Sequence, residues 1–464
     1  MSKLNVAAAA ALLSAATANA LAAQVNVPPP KRPPIDWLYP WKEDWSALAD
    51  PALRTDAFDP LKYIPIGSNP KSYLSFGATI RQRFESVSLR LTPLQPSDYL
   101  LDRTQVHADL HLGPHVQVFT QLVDARAPGK DFVAPVDQDR LDLEQAFAAV
   151  TLPTRQGAFE ITVGRQEPDL DMQRFASTGD GPNVRNPFDS FHAGYMDKSW
   201  RLVGFYSRPV SQRDRELFDD VSSRDLTLSG VRVERRELGH GKVSFFAAQL
   251  RNDNAFYLAA VGRERRDILD LRYAGRLAGW DWDAEGMVQR GHVDAKKIRA
   301  WGIGGMLGHR WVSQLWSPRL GLQIDAASGN DNPNGDILGT FNPLFPNGYY
   351  ELLAGYPGYA NFVHLKSSAM VFPRRTLSAL VSAGAVWRET TTDAVYLLPA
   401  IPVANTAGRG SAYSGAYAQI RLDWAISPHL TGAIDAEQFM QSRSLHQAGA
   451  RDGHFIGVEL KLGM

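Results

Sequence analysis

The 464-residue chain balances 49 Lys+Arg against 49 Asp+Glu and contains no cysteine. With no net field to favour nucleic acid or an anionic surface, a charge-based function must come from how the charges are sorted in space. The lack of cysteine excludes disulfide scaffolds, thiol catalysis and Cys-ligated zinc, and suits a chain that crosses an oxidising compartment before folding.

A basic start at Lys3 leads into a small and apolar run from Val6 to Ala16, followed by the small-x-small pairs Ala18-Asn-Ala20 and Ala20-Leu-Ala22. This order predicts a secretory signal peptide over residues 1–23, cut after Ala20, Ala22 or Ala23. Residues 24–72 are Pro-rich and aromatic, as in Pro28 to Trp37, and show neither helical nor strand period. They are expected to form an extended periplasmic lead-in. Farther on, no apolar run reaches the roughly 18 residues that a spanning helix needs. An exported chain of this kind is either released to water or crosses lipid as a closed barrel.

From residue 73 the chain reads as a long series of period-two segments. In Arg103–Leu112, Thr104, Val106, Ala108, Leu110 and Leu112 oppose Arg103, Gln105, His107, Asp109 and His111. In Trp280–Gln289 the apolar or small residues Trp280, Trp282, Ala284, Gly286 and Val288 alternate with Asp281, Asp283, Glu285 and Gln289. Arg319–Ala326 sets Leu320, Leu322, Ile324 and Ala326 against Arg319, Gln323 and Asp325. In Ser414–Ser427, Ala416, Ala418, Ile420, Leu422, Trp424 and Ile426 share one face, with Tyr417, Gln419, Arg421 and Asp423 on the other. The last segment alternates Ile456, Val458, Leu460, Leu462 and Met464 to the end of the chain, as a closing strand would.

Alternation also fits a soluble sandwich that buries its apolar face. Segments of about ten residues match the length of a tilted membrane strand rather than the soluble mean of about five or six. Aromatics near segment ends (Trp200, Tyr206, Trp280, Trp387, Trp424) suit interfacial girdles, and the apolar faces around Leu322, Ile420 and Leu460 hold no charge. The expected fold is therefore all-β: a transmembrane antiparallel β-barrel over residues 73–464, of about 16–18 strands. Between Ser199 and Arg251 the faces cannot be assigned from the pattern. Two Gly/Pro/Asn-rich stretches, 164–191 and 327–359, are expected to be an extracellular lid or loops folded into the lumen.

The first stretch reads Gly164-Arg-Gln, Gln173-Arg-Phe, Asp180-Gly-Pro-Asn-Val-Arg185 and Phe188-Asp, and the second carries Ala327-Ser-Gly-Asn-Asp-Asn-Pro-Asn-Gly-Asp336. Together they closely resemble segments of the alginate export porin family, and the likeness extends from about Ser72 to Met464. The resemblance implies a single-chain barrel of about eighteen strands in the outer membrane of a Gram-negative bacterium. It also implies an arginine-lined lumen that passes an anionic uronate polysaccharide or its fragments.

Such cargo carries one carboxylate per sugar, and the planar guanidinium fork meets carboxylates bidentately at any relevant pH. The candidate conduit residues are Arg81, Arg83, Arg103, Arg319 and Arg421 on strands, with Arg165, Arg174 and Arg185 from the family-like loop. The competing use of a lumen arginine is a satisfied pair with a neighbouring acid, for which Asp109, Asp281, Asp283, Glu285, Asp325, Asp423, Asp435 and Glu437 are available. Asp180, Asn183 and Asp189 read as turn caps rather than calcium ligands, so no metal or cofactor is assigned. No G-x-S-x-G elbow or histidine constellation supports an enzyme. The expected partners are outer-membrane lipid, an anionic polysaccharide or small anionic solute, and periplasmic export proteins. A general or substrate-selective porin for small anions, sugars or aromatic acids is the alternative.

Overall fold

The computed structural model describes residues 32–91, 95–167, 174, 175, 177 and 180–464. The expected signal peptide with its cleavage positions lies outside the described residues, as do residues 24–31 of the lead-in.

Eighteen antiparallel strands close into a barrel. The first six are β1 (Tyr73–Val87), β2 (Ser97–Leu112), β3 (Val116–Arg126), β4 (Asp139–Pro153), β5 (Gly157–Gln166) and β6 (Phe188–Asp197). Next come β7 (Trp200–Ser211), β8 (Leu226–Leu238), β9 (Gly241–Tyr257), β10 (Ala260–Leu277), β11 (Trp280–Val293) and β12 (Lys296–Arg310). The circle is completed by β13 (Arg319–Ala327), β14 (Phe362–Arg374), β15 (Leu377–Trp387), β16 (Tyr413–Ser427), β17 (Leu430–Gln441) and β18 (Gly453–Gly463). Closure is made by β18 on β1, in register from Thr79↔Gly463 to Val87↔Phe455. No edge remains to be satisfied in lipid, which makes the architecture viable there. Among the described residues no helix is long and apolar enough to cross a membrane.

The period-two reading holds at each of the segments quoted above. Ile456, Val458, Leu460 and Leu462 are exposed on the lipid side, and Ile420, Leu422, Trp424 and Ile426 likewise, while Gln419 and Asp423 are buried inside. An arginine at Leu460, in the middle of this apolar face, is expected to cost about 2–4 kcal/mol. Urea titration of the refolded barrel should show the loss, and an unchanged midpoint would remove Leu460 from the lipid face.

The unreadable stretch from Ser199 to Arg251 has a local cause. Phe205 of β7 and Phe246 of β9 point into the lumen and stack at 5.8 Å, whereas Arg251 is exposed on the outside. At these positions aromatic rings face the lumen and a charge faces outward, while Arg232 and Glu234 of β8 keep the usual inward polarity.

Short connections (residues 154–156, 198–199, 239–240, 278–279 and 428–429) gather at the end where β1 begins and β18 finishes. The long ones (127–138, 167–187, 212–225, 328–361 and 388–412) gather at the other, together with the two-residue turns 258–259 and 294–295 of β9–β12. Outer-membrane barrels place short turns in the periplasm and long loops outside.

The lead-in differs from the extended conformation expected of it. Residues 32–72 make three 3-10 turns (Pro40–Lys42, Ser46–Ala49, Pro51–Leu53) and a one-turn helix at Asp59–Lys62. Trp45, Leu48 and Tyr63 bury themselves with Tyr73 at the start of β1. Trp41 packs edge-on against Phe119 and Phe147. The apolar side chains that gave the segment no period are spent on packing into the periplasmic mouth.

Candidate functional site

Both family-like loops turn into the lumen and meet there. Phe175 lies edge-on to Phe341 and Tyr359, at 5.4 and 5.2 Å between centroids. The backbones join by Ser177 N–H donating to the Phe345 carbonyl (2.9 Å) and Phe345 N–H donating to the Phe175 carbonyl (3.0 Å). A Cβ at Gly181 would come within 3.0 Å of the Tyr349 ring, so a glycine lets the loops approach this closely.

One carboxylate organises the first loop. Asp180 accepts from Arg103 of β2 at 2.6 Å, from Arg185 of its own loop at 2.7 Å and from Lys461 of β18 at 3.2 Å. Arg81 of β1 donates to the Gly181 and Pro182 carbonyls alongside, at 3.4 and 3.5 Å, and pairs with Glu459 at 2.7 Å. Burial would raise the Asp180 pKa, but Lys461, Arg185, Arg103 and Arg81 together hold it well below the usual carboxylate range. Arg185 is also tied to Glu167 at 3.2 Å and to the Trp37 and Leu38 carbonyls of the lead-in. The Asn183 side-chain amide donates to three carbonyls at 3.0 Å each, those of Asp102 within β2, Arg126 at the end of β3 and Asp137 just before β4.

Arg174 anchors the same loop on the opposite side of the barrel. It pairs with Glu285 of β11 at 2.6 Å and Asp325 of β13 at 3.2 Å, and donates to the Tyr350 hydroxyl of the second loop. Arg165 pairs with Asp189 at 3.0 Å and donates to the Leu143 carbonyl. On the walls, Arg83 meets Glu85 at 2.6 Å and Asp435 at 2.9 Å, Arg319 meets Asp281, and Arg421 bridges Asp423 and Asp435. Each of the eight arginines selected from the sequence thus has a carboxylate partner. The structure gathers Arg81, Arg103 and Arg185 about Asp180, links Arg83 to Arg421 through Asp435, and leaves Arg165, Arg174 and Arg319 at separate points.

Sequence reasoning missed two participants. Lys461 stands opposite the apolar face of the closing strand, and that parity placed it in the lumen. Glu351, in the second loop, shows no signal in the pattern. Both of its carboxylate oxygens are buried without a hydrogen-bond partner, while Lys366 donates to its backbone carbonyl at 2.9 Å. Burial, and then repulsion from Asp325, push the Glu351 pKa well above the carboxylate range. A raised folded-state pKa contributes stability that is complete below the ordinary carboxylate pKa and is lost as pH rises through the raised value. Opening frequency should therefore rise on alkalinisation, and Glu351→Gln should flatten that rise. An equally steep pH profile in Glu351→Gln would assign the effect elsewhere.

Among the described residues, Asp139, Asp142 and Asp220 form an acidic cluster, with one carboxylate oxygen of each within 4.8 Å of the others. Asp142 is 3.9 Å from Arg165, which faces Asp189 more closely.

A family model for alginate export matches residues 72–459. No curated protein sequence matches significantly. Solved structures similar to this chain include the BenF-like porin of Pseudomonas fluorescens Pf-5, at 10% identity and a TM-score of 0.59, covering 84% of this chain and 99% of that one. OccK2 (OpdF) of Pseudomonas aeruginosa in complex with glucuronate is similar at 13% identity and a TM-score of 0.55, covering 87% and 100%. OpdK of Pseudomonas aeruginosa with vanillate is similar at 13% identity and a TM-score of 0.53, covering 84% and 98%. At these identities the likeness is one of fold.

Proposed function

This chain belongs to the alginate export family and folds as an outer-membrane barrel, and from that premise we propose that it passes a carboxylate-bearing solute of the uronate class, as polymer or fragments. The observation that carries the reading is the set of cations converging on Asp180. A loop carboxylate occupies the position that a passing solute carboxylate would take. When the loop withdraws it takes Asp180 and Arg185 with it, and Arg81, Arg103 and Lys461 stay on the wall as the receptor. Arg83, Arg319 and Arg421 extend the path as arginines that exchange a wall carboxylate for a solute carboxylate. Arg174 and Arg185 act on the loop, holding it in place between passages, and Arg165 joins β5 to β4 and β6 where the loop begins and ends. Exchange between competing carboxylates keeps binding weak enough for release, as conduction requires. Residues 1–23 serve as the signal peptide that brings the chain to the periplasm.

The test is single-channel recording of the refolded protein across a salt gradient, followed by oligouronates of increasing length. Anion preference and a block that strengthens with oligomer length are expected. Open channels that ignore oligouronate would overturn the reading. A block by small monocarboxylates that does not grow with length would favour the second reading, a porin for small anions. That reading draws on the same single-carboxylate hub.

A further inference from the structure

The outward face of β9 to β12 changes character in register. One row of cross-strand partners runs Ala247–Leu269–Val288–Trp301, apolar throughout and ending on an exposed tryptophan. The next row toward the long-loop end is Gln249–Asp267–Arg290–Arg299, and the row above it is Arg251–Arg265–His292–Lys297. Arg251, Arg265, Arg290, Arg299 and Lys297 are all exposed. Asp267 is the one acid in the two rows, and its Oδ1 accepts from Gln249. Among the described residues none of these five cations has a carboxylate within 4.0 Å, and Arg251 donates only to the Gln249 side chain at 2.7 Å.

Two of the contacts are arginine against arginine. Arg251 is directly opposite Arg265, and Arg290 is directly opposite Arg299. Like charges in facing positions destabilise a sheet unless something neutralises them. Water alone would favour mixing in acids, as at the lumen arginines Arg83, Arg174, Arg319 and Arg421. The patch also begins one row, roughly 7 Å of strand, beyond Trp301. That is the depth at which the apolar band gives way to headgroups.

We propose that this patch is a binding site for the phosphorylated headgroup of an outer-leaflet glycolipid. Facing arginines present parallel N–H forks that a phosphate bridges, turning a repulsive pair into an attractive one. The acyl chains then lie along the Leu269, Val288 and Trp301 row below. The site is on the outside of the barrel and is independent of the lumen. Its occupant holds β9–β12, the tallest part of the wall, against the bilayer.

The proposal is tested by native mass spectrometry of the detergent-solubilised full chain with diphosphoryl lipid A or its dephosphorylated form. The parent should prefer the phosphorylated lipid at least tenfold. That preference should vanish in the triple variant Arg265→Gln, Arg290→Gln, Arg299→Gln and be reduced but retained in the matching Lys triple variant, which keeps the charge and loses the forks. The heat-modifiable mobility of each barrel confirms that it is folded. Equal retention of both lipids by the parent, or undiminished preference in the folded Gln variant, would overturn the proposal. Inorganic phosphate binding as tightly as the lipid would assign the patch to free anions and overturn it as well.

Discussion

Replacing Asp180 with Asn is expected to leave the channel open for most of a recording in which the parent is mostly closed. Asp180 neutralises Arg103, Arg185 and Lys461 at once, and two of these, Arg103 and Arg185, are 1% exposed in their side chains. Removing one partner of a buried ion pair costs about 3–5 kcal/mol, because the remaining charge stays desolvated. Asp180 keeps 26% of its side chain exposed, which argues for the low end. A cost of about 3 kcal/mol on the seated loop shifts its equilibrium more than a hundredfold. The barrel wall does not depend on the loop, so folding and strand content should be unchanged. Planar-bilayer recordings decide the matter: an open fraction equal to that of the parent would mean that the loop is held elsewhere, with Arg174 the first candidate.

Neutralising the wall cations is expected to have the second largest effect. In the Asp180→Asn background, Arg81→Gln, Arg103→Gln and Lys461→Gln together remove the groups left facing the pore. Glu459 retains Arg83 at 3.6 Å, so the quadruple variant does not strand a carboxylate. A charge-assisted hydrogen bond contributes about 1.5–3 kcal/mol. Losing two such contacts to a solute carboxylate should weaken oligouronate block by at least about a hundredfold. Anion preference should fall with it. Block of undiminished strength would show that the solute meets other arginines, and Arg83 and Arg421 on β1 and β16 would then be tested in the same way.

The two experiments separate closure from recognition. Asp180→Asn alone should raise conductance and leave block intact, since the receptor remains. The quadruple variant should keep the raised conductance and lose the block. A single site acting only as structural glue would produce neither pattern.

The legibility of this protein follows the range of each interaction. Whether a residue faces lipid or lumen depends on strand parity, so β2, β11, β13, β16 and β18 were readable from alternation alone. Parity failed between Ser199 and Arg251, where Phe205 and Phe246 turn inward and Arg251 outward. The lead-in was misread as extended because its aromatic residues have no period; they pack against Tyr73, Phe119 and Phe147, which sequence spacing does not connect to them. The arginines could be listed from the sequence, but their carboxylate partners could not.

By itself, then, the sequence determined the class of fold and its closure by the last strand, and it singled out two loops and eight arginines without their partners. These are consequences of local chemistry: a two-residue side-chain period, solvent on one face and lipid on the other. Only the tertiary structure decided that Asp180 is shared among residues from β2, β18 and its own loop, that Arg174 reaches Glu285 and Asp325, and that Arg251 stands against Arg265. Those choices depend on strand register and on how a loop falls across a closed lumen. A one-residue change of register would exchange every partner while leaving the alternation pattern untouched.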